Sequence, residues 1–235
     1  MAILNLPHSI RFEDGERPNE GKLVMEPFHP GYGTTIGNAL RRVLLSSLEG
    51  AAVVAVKIKG VTHEFQAMEG VKEDVLEIIL NIKGLRLKLH SDQPVTLKLN
   101  VKGAKVVTGA DIEANADVDI TNPEMKVCTI TGDDTEFDME IVVARGRGYI
   151  TTEERGHESY DLGTIAVDAL FSPIRNVGYK VENTRVGDIT NYDKLVLTIE
   201  TDGTVSPEDA VHQSAKLLID HFMLLVAPSS EIAGS

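Results

Sequence analysis

The sequence has no tryptophan, a single cysteine, Cys128, and only 5% aromatic residues. One cysteine cannot form a disulfide within the chain, and it excludes a zinc site built from several cysteines. No apolar run approaches the roughly 20 residues that a membrane-spanning helix needs. The N-terminus has neither the basic region nor the small-residue cleavage site of a signal peptide. These absences favour a cytoplasmic protein, without a membrane partner, whose core is built from Val, Ile and Leu.

Basic residues are also few. The chain carries 23 Lys and Arg against 36 Asp and Glu, which gives a formal net charge of −13. Proteins that bind duplex DNA through their own surface gather basic residues to neutralise phosphates, so direct DNA binding is not expected. The acidic residues crowd into residues 111–140, where Lys126 is the one basic residue. Charge runs of this kind usually form a solvated surface.

Patterns that would indicate catalysis are absent from the sequence. The seven histidines show no metal-ligand spacing, and there is no Gly-x-Ser-x-Gly elbow. Neighbouring carboxylates such as Glu73 and Asp74 diverge in regular structure instead of flanking a substrate. The sequence therefore predicts a non-catalytic chain with no cofactor and no metal.

The hydrophobic pattern mixes strands and helices. Alternation with period two predicts strands, for example over residues 85–89, 95–101, 137–143 and 195–199. Helical spacing predicts three helices, over residues 34–49, 71–82 and 206–226, the first of them stopped by Gly50. Strands with segregated helices predict an α+β fold.

The last predicted helix is apolar on more than one side. Its C-terminal half contains Leu217, Leu218, Phe222, Met223, Leu224, Leu225 and Val226. A helix that is apolar nearly all round is buried on all sides. We expect a second chain to supply that burial, and the alternative is a helix sunk in its own domain.

A glycine-rich segment, Gly31 to Gly37, leads into the first predicted helix. Such turns can hold phosphates on exposed backbone amides. However, three residues separate the second and third glycines, whereas the dinucleotide-binding fingerprint has two. The Gly-Lys-Ser/Thr of a P-loop is also absent from the sequence. We interpret the segment as a tight strand-to-helix turn in which Gly37 permits close packing of the helix. A phosphate- or nucleotide-binding enzyme is the alternative.

Several ordered blocks of the chain resemble the N-terminal domain of the bacterial RNA polymerase alpha subunit. The most specific block is Gly37-Asn38-Ala39-Leu40-Arg41-Arg42, within residues 31–47. The others are residues 61–65 with 69–84, 145–149, 167–174 and 193–197.

The resemblance implies an architecture and a role. A dimerisation subdomain, residues 1–49 and 177–235, would pack two long helices on a sheet, interrupted by a mainly β insert subdomain, residues 50–176. The chain would be a non-catalytic subunit of a nucleotidyltransferase that homodimerises and scaffolds the beta and beta-prime catalytic subunits for transcription. The residues expected to bind those subunits are Asn38, Arg41, Arg42 and Lys83, with Arg42 toward beta and Lys83 toward beta-prime. The residues expected in the dimer interface are Ile36, Leu40, Val43, Leu44, Leu218, Phe222 and Leu225.

Members of that family usually carry a linker and a DNA-binding domain after this region, so promoter contact is not expected of residues 1–235. Outside the family, a second alternative is an acidic interaction module that binds basic partners through residues 111–140.

Overall fold

The computed structural model describes residues 6–155, 161 and 163–226 of the chain. Within them lie three α-helices, a short 3-10 helix at Gly109–Asp111, and fourteen strands. The α-helices are Tyr32–Ser46 (α1), Val75–Ile82 (α2) and Pro207–Val226 (α3). The strands are Ser9–Asp14 (β1), Glu20–Phe28 (β2), Glu49–Ile58 (β3), Leu87–Leu89 (β4), Val95–Lys102 (β5), Lys105–Thr108 (β6), Val118–Ile120 (β7), Lys126–Ile130 (β8), Glu136–Arg147 (β9), Tyr149–Ile150 (β10), Thr164–Ala166 (β11), Ala169–Leu170 (β12), Ile174–Val186 (β13) and Ile189–Thr201 (β14). The predicted α+β fold is confirmed.

The chain divides into two compact units. The discontinuous unit comprises Met1–Leu48 with Pro173–Ser235, and the inner unit is Glu49–Ser172. The resemblance puts the divisions after residues 49 and 176, whereas the units divide after Leu48 and Ser172. The second division comes earlier because Ile174 is buried in the core of the discontinuous unit.

The discontinuous unit is built on a four-stranded antiparallel sheet in the order β1-β2-β14-β13. Both long helices contribute to its apolar core, which includes Leu23, Leu40, Leu44, Val177, Leu197, Ile199, Ala210 and Val211. A Cβ atom on Gly37 would lie 2.8 Å from side-chain atoms of Leu195 and Tyr179. Only glycine therefore lets α1 come this close to β13 and β14, as the sequence predicts.

The inner unit is mainly β. Its largest sheet has the order β5-β9-β3-β4-β7, with β11 also paired to β3, and two small two-stranded sheets join β6 to β8 and β10 to β12. The alternating side chains of β5 and β9 bury Leu97, Leu99, Met139 and Ile141 in a core that they share with Ile78 and Ile82 of α2. This is the period-two pattern that the sequence predicts for these strands.

Local signals locate the start of α3 but not the limits of the other helices. The Ser206 hydroxyl accepts a hydrogen bond from the Asp209 backbone amide at 3.0 Å, which confirms the predicted cap. The first helix ends at Ser46, and Gly50 lies inside β3, paired with Gly146. Its predicted role as a helix stop is therefore wrong, since strand pairing already begins at Glu49. The second helix begins only at Val75, capped by the Asp74 carboxylate.

Candidate interaction surfaces

The C-terminal half of α3 carries an apolar stripe that its own unit leaves uncovered. Val211, Ser214, Leu218, Phe222 and Leu225 follow one another at steps of three or four, so they share one helix face. Val211 and Ser214 are buried and Leu218 is half-buried, but Phe222 is 58% exposed and Leu225 81% exposed. The face that packs on the core at the start of α3 thus continues beyond that core.

Other apolar side chains around the end of α3 are exposed as well. Ile219, Met223, Leu224 and Val226 have between 58% and 76% of their surface exposed. Contiguous exposed apolar surface of this kind marks sites of association. The alternative that this helix is sunk in its own domain is therefore wrong for its last two turns.

The predicted interface residues of α1 divide into two groups. Leu40 and Leu44 are 6% and 0% exposed and belong to the core of the discontinuous unit. The stripe that the sequence shows is the face that packs on the sheet, so these two side chains present no surface to a second chain. Ile36 and Val43 are half-buried at the flank of that face.

The outer face of α1 is polar and basic. Asn38, Arg41 and Arg42 are all exposed there. Arg41 donates a hydrogen bond from Nε to the Val177 carbonyl at 3.1 Å, whereas the Arg42 guanidinium has no hydrogen-bond or ion-pair partner among the described residues. Leu45, 38% exposed, lies on the same face. No motif singles out Leu45, although its spacing of four and three residues from the two arginines predicts that it shares their face.

A carboxylate from a distant strand caps the start of α1. The backbone amides of Gly31 and Gly33 donate hydrogen bonds to Asp193 Oδ2 at 2.8 and 3.1 Å. Asp193 is 8% exposed. The amides that would hold a phosphate are therefore already bound to a negative group of the same chain, which removes the physical basis of the phosphate-binding alternative. No sequence signal links Asp193 to this turn.

In the inner unit, Lys83 lies at the end of α2 beside a shallow groove of about 280 Å³. The groove is lined by Glu64, Leu76, Ile79, Leu80, Lys83, Thr152, Ile165, Ala166, Val167 and Asp168. Leu76 and Leu80 are 40% and 59% exposed and share one helix face with Lys83.

Asp168 is fixed at the edge of this groove by two hydrogen bonds. Its Oδ1 accepts from the Thr152 backbone amide at 2.9 Å, and its Oδ2 accepts from the Tyr149 hydroxyl at 3.2 Å. The pKa of Asp168 is lowered, mainly by the hydrogen bond from the Thr152 amide. Partial burial would raise this pKa, but the Tyr149 hydroxyl and the Lys83 charge lower it further. The groove therefore combines apolar side chains with the carboxylates of Glu64 and Asp168 and the ammonium group of Lys83.

The acidic residues of 111–140 lie at the surface, exposed or half-buried, as the sequence predicts. Several are paired within the unit: Asp111 with Lys105 at 2.6 Å, Asp119 with His90 at 2.8 Å and Glu136 with Lys102 at 3.1 Å. In the part of the chain that the structure describes, no cluster of His, Cys, Asp or Glu could hold a metal ion. None of the helices described there has the length and apolarity of a membrane span.

Comparison with known proteins supports the motif-based resemblance. Residues 56–172 match the model of the RNA polymerase Rpb3/RpoA insert domain. The chain is 45% identical over 233 residues to the DNA-directed RNA polymerase subunit alpha of Alkaliphilus metalliredigens, which covers 99% of this chain and 74% of the relative. It is 50% identical over 213 residues to that of Moorella thermoacetica, covering 91% of this chain and 68% of the relative. It is 45% identical over 212 residues to that of Alkaliphilus oremlandii, covering 90% of this chain and 67% of the relative.

The motif block around Arg42, the α+β fold and this similarity along nearly the whole chain agree. The chain belongs to the family of DNA-directed RNA polymerase alpha subunits.

Proposed function

We propose that the chain is a non-catalytic scaffold of a bacterial RNA polymerase. Two copies associate through the exposed end of α3, and the dimer assembles with the beta and beta-prime subunits in the cytoplasm. The observation that carries this proposal is the apolar stripe of α3, which leaves its own core and continues exposed through Phe222 and Leu225.

Burial of that stripe against a second copy supplies the driving force for the dimer. A fully buried Leu or Phe side chain contributes about 1.5–3 kcal/mol, from which the loss of rigid-body freedom is subtracted. A two-fold axis presents the same stripe twice, so each of these residues counts in both chains. Ile36 and Val43 extend the surface from α1, with Leu40 and Leu44 behind them as support.

We assign the beta contact to the outer face of α1. The planar guanidinium of an arginine binds carboxylates and backbone carbonyls with two parallel hydrogen bonds, and arginine is enriched in interfaces. Arg41 is already bonded to Val177, which makes it a positioning residue, while Arg42 is available to a partner. Leu45 provides an apolar contact beside it, and Asn38 a polar one.

We assign the beta-prime contact to the groove beside Lys83. Leu76 and Leu80 offer an apolar ridge, and Lys83 and Asp168 offer opposite charges for orientation. Both copies carry both surfaces, but the two large subunits differ. Each copy therefore engages mainly one of them.

Co-expression with the beta and beta-prime subunits of the same organism tests the proposal. The tagged wild-type chain should retain both large subunits through size-exclusion chromatography. Arg42→Ala should keep the dimer and the unfolding temperature of the chain but lose most of the beta subunit. Lys216→Ala, an exposed basic residue on the opposite side of α3 from the apolar stripe, is the matched control and should behave as wild type.

Two results would count against the proposal. Equal retention of beta by Arg42→Ala would reject the role of Arg42. A wild-type chain that retains neither large subunit would reject the scaffold itself. Neither alternative function has an observation in its favour: Asp193 occupies the glycine-rich turn, and Asp111, Asp119 and Glu136 of the acidic segment already pair with basic side chains.

A further inference from the structure

The first helix begins without a cap of its own. Gly31 occupies the N-cap position, with a φ of 91° and no side chain, and the first turn contains no acidic residue. The backbone amides at the start of a helix have no partner within the helix, and a Ser, Thr, Asp or Asn side chain at the N-cap usually binds one of them. The start of α1 therefore depends on a group from another part of the chain.

Asp193 of β14 supplies that group. Its Oδ2 accepts hydrogen bonds from the Gly31 and Gly33 amides at 2.8 and 3.1 Å, and a carboxylate is a strong acceptor at the positive end of a helix. Asp193 pairs with Phe28 of β2 on one side and with Asn183 of β13 on the other. The carboxylate is thus held in the interior of the four-stranded sheet, and it ties the start of α1 to that sheet.

Two further contacts tie α1 to the hairpin of β13 and β14. Gly37 lies against the side chains of Leu195 and Tyr179, and Arg41 donates a hydrogen bond from Nε to the Val177 carbonyl at 3.1 Å. Together with the carboxylate at its start, these contacts hold α1 at three points along its length. The direction of α1 and its rotation about its own axis are therefore set by this hairpin.

The rotation of α1 decides where the Arg42 guanidinium points. A side-chain tip lies about 5–6 Å from the axis of a helix, so a rotation of about 20° moves it by about 2 Å. A guanidinium binds a carboxylate or a carbonyl in a narrow geometry, and binding groups need to lie within about 0.5 Å of their productive positions. Loss of the tie at the start of α1 would therefore weaken a contact further along the same helix.

We propose that Asp193 is a positioning residue for the beta contact. By holding the Gly31 and Gly33 amides it fixes the direction and rotation of α1, and it thereby places Arg42 for the partner subunit. This inference rests on the proposed beta contact of α1. It predicts a loss of affinity in a chain that is still folded. A cap that only stabilises the fold would lower the apparent affinity only in proportion to the unfolded fraction of the chain.

Asp193→Ala tests this role in co-expression with both large subunits, with purification at low temperature so that the variant is folded. The folded, dimeric variant should retain about tenfold less beta than wild type, the loss expected when the hydrogen bonds of one guanidinium are broken. Asp193→Asn keeps an oxygen acceptor for the two amides and should retain more beta than Asp193→Ala. Val107→Ala is the control. It leaves a cavity in the core of the inner unit, so it should lower the unfolding temperature but retain beta as wild type does.

Circular dichroism and sedimentation of the same preparations report folding and the dimer. Wild-type retention of beta by a folded Asp193→Ala, with Arg42→Ala still defective, would overturn the positioning role and leave the proposed function standing. Equal loss of beta in Val107→Ala would also overturn it, because the loss would then follow stability, and so would loss of the dimer in Asp193→Ala.

Asp193→Asn decides the question if Asp193→Ala does not fold. A larger loss of beta in Asp193→Asn than in Val107→Ala would support the positioning role, and an equal or smaller loss would overturn it. If Arg42→Ala retains beta as wild type does, the proposed beta contact fails and the inference fails with it.

Discussion

Among the described residues of the inner unit, Glu73 is the most deeply buried acidic side chain, at 3% exposure. Its carboxylate accepts hydrogen bonds from the Thr129 amide at 2.6 Å and the Thr129 hydroxyl at 3.0 Å, and it pairs with Lys126 at 2.6 Å. These contacts tie the segment before α2 to β8. Burial by itself would raise the pKa of Glu73, but Lys126 and Thr129 together lower it from 4.5 to about 2.

Replacing Glu73 with Gln should destabilise the chain by about 1–3 kcal/mol, because a buried charged acceptor is lost and its donors are left poorly paired. Urea unfolding at neutral pH measures the difference. Glu77→Gln, exposed on α2, is the control and should stay within a few tenths of a kcal/mol of wild type. Equal stability of the two variants would contradict the account of Glu73.

The pH dependence follows from the same carboxylate. Since its folded pKa is depressed, its stabilisation is fully present above pH 4.5 and is lost as the pH falls toward 2. Wild type should therefore lose more unfolding free energy than Glu73→Gln between about pH 5 and pH 2. Parallel stability curves for the two proteins over this range would disprove the linkage.

Asp193 offers a second residue-scale prediction. Asp193→Ala removes the acceptor of the Gly31 and Gly33 amides, so it should cost about 1–3 kcal/mol of unfolding free energy. Asp193→Asn keeps an oxygen acceptor and should cost less. Chemical denaturation of both variants tests the order, and a smaller cost for Ala than for Asn would refute the capping role.

Of the residues that shape this turn, the sequence predicts the role of Gly37 but not that of Asp193. The tight approach of Gly37 follows from a glycine within a helical pattern. Asp193 could not be predicted, because it reaches the turn only through the pairing of β14 with β2, about 160 residues further along the chain. Local patterns carry no information on such a partner.

At the scale of elements, α3 was the most predictable part of the fold. Its cap, its first-turn acids and its apolar excess are all local signals, and the structure has them. The spacing of the α1 stripe predicts a helix face, and Leu40 and Leu44, which we expect in a dimer interface from the sequence, lie in the core of their own unit. An apolar stripe on a helix predicts that this face is buried. It does not indicate whether the same chain or a second chain buries it.

Leu225→Glu tests the exposed stripe. The new charge would be desolvated in a dimer but stays hydrated in a single chain, so the variant should be a folded monomer at micromolar concentration. Sedimentation velocity and the unfolding temperature report both properties. Gln213→Glu adds the same charge on the other side of α3 and should stay dimeric. A dimeric Leu225→Glu would show that this stripe does not hold the two chains together.

At the scale of the whole molecule, each unit has its own apolar core. We therefore expect residues 49–172 expressed alone to fold with a single cooperative thermal transition, followed by circular dichroism. A chain that stays unfolded under native conditions would contradict the independence of the inner unit. The discontinuous arrangement itself was predicted only through the family resemblance, since no composition shift marks either division.

The scaffold account depends most directly on two copies covering the exposed end of α3. Sedimentation equilibrium of the wild-type chain at micromolar concentration measures this without a partner. The account predicts a mass of about twice the 25.5 kDa of one chain. A single species of 25.5 kDa would contradict it.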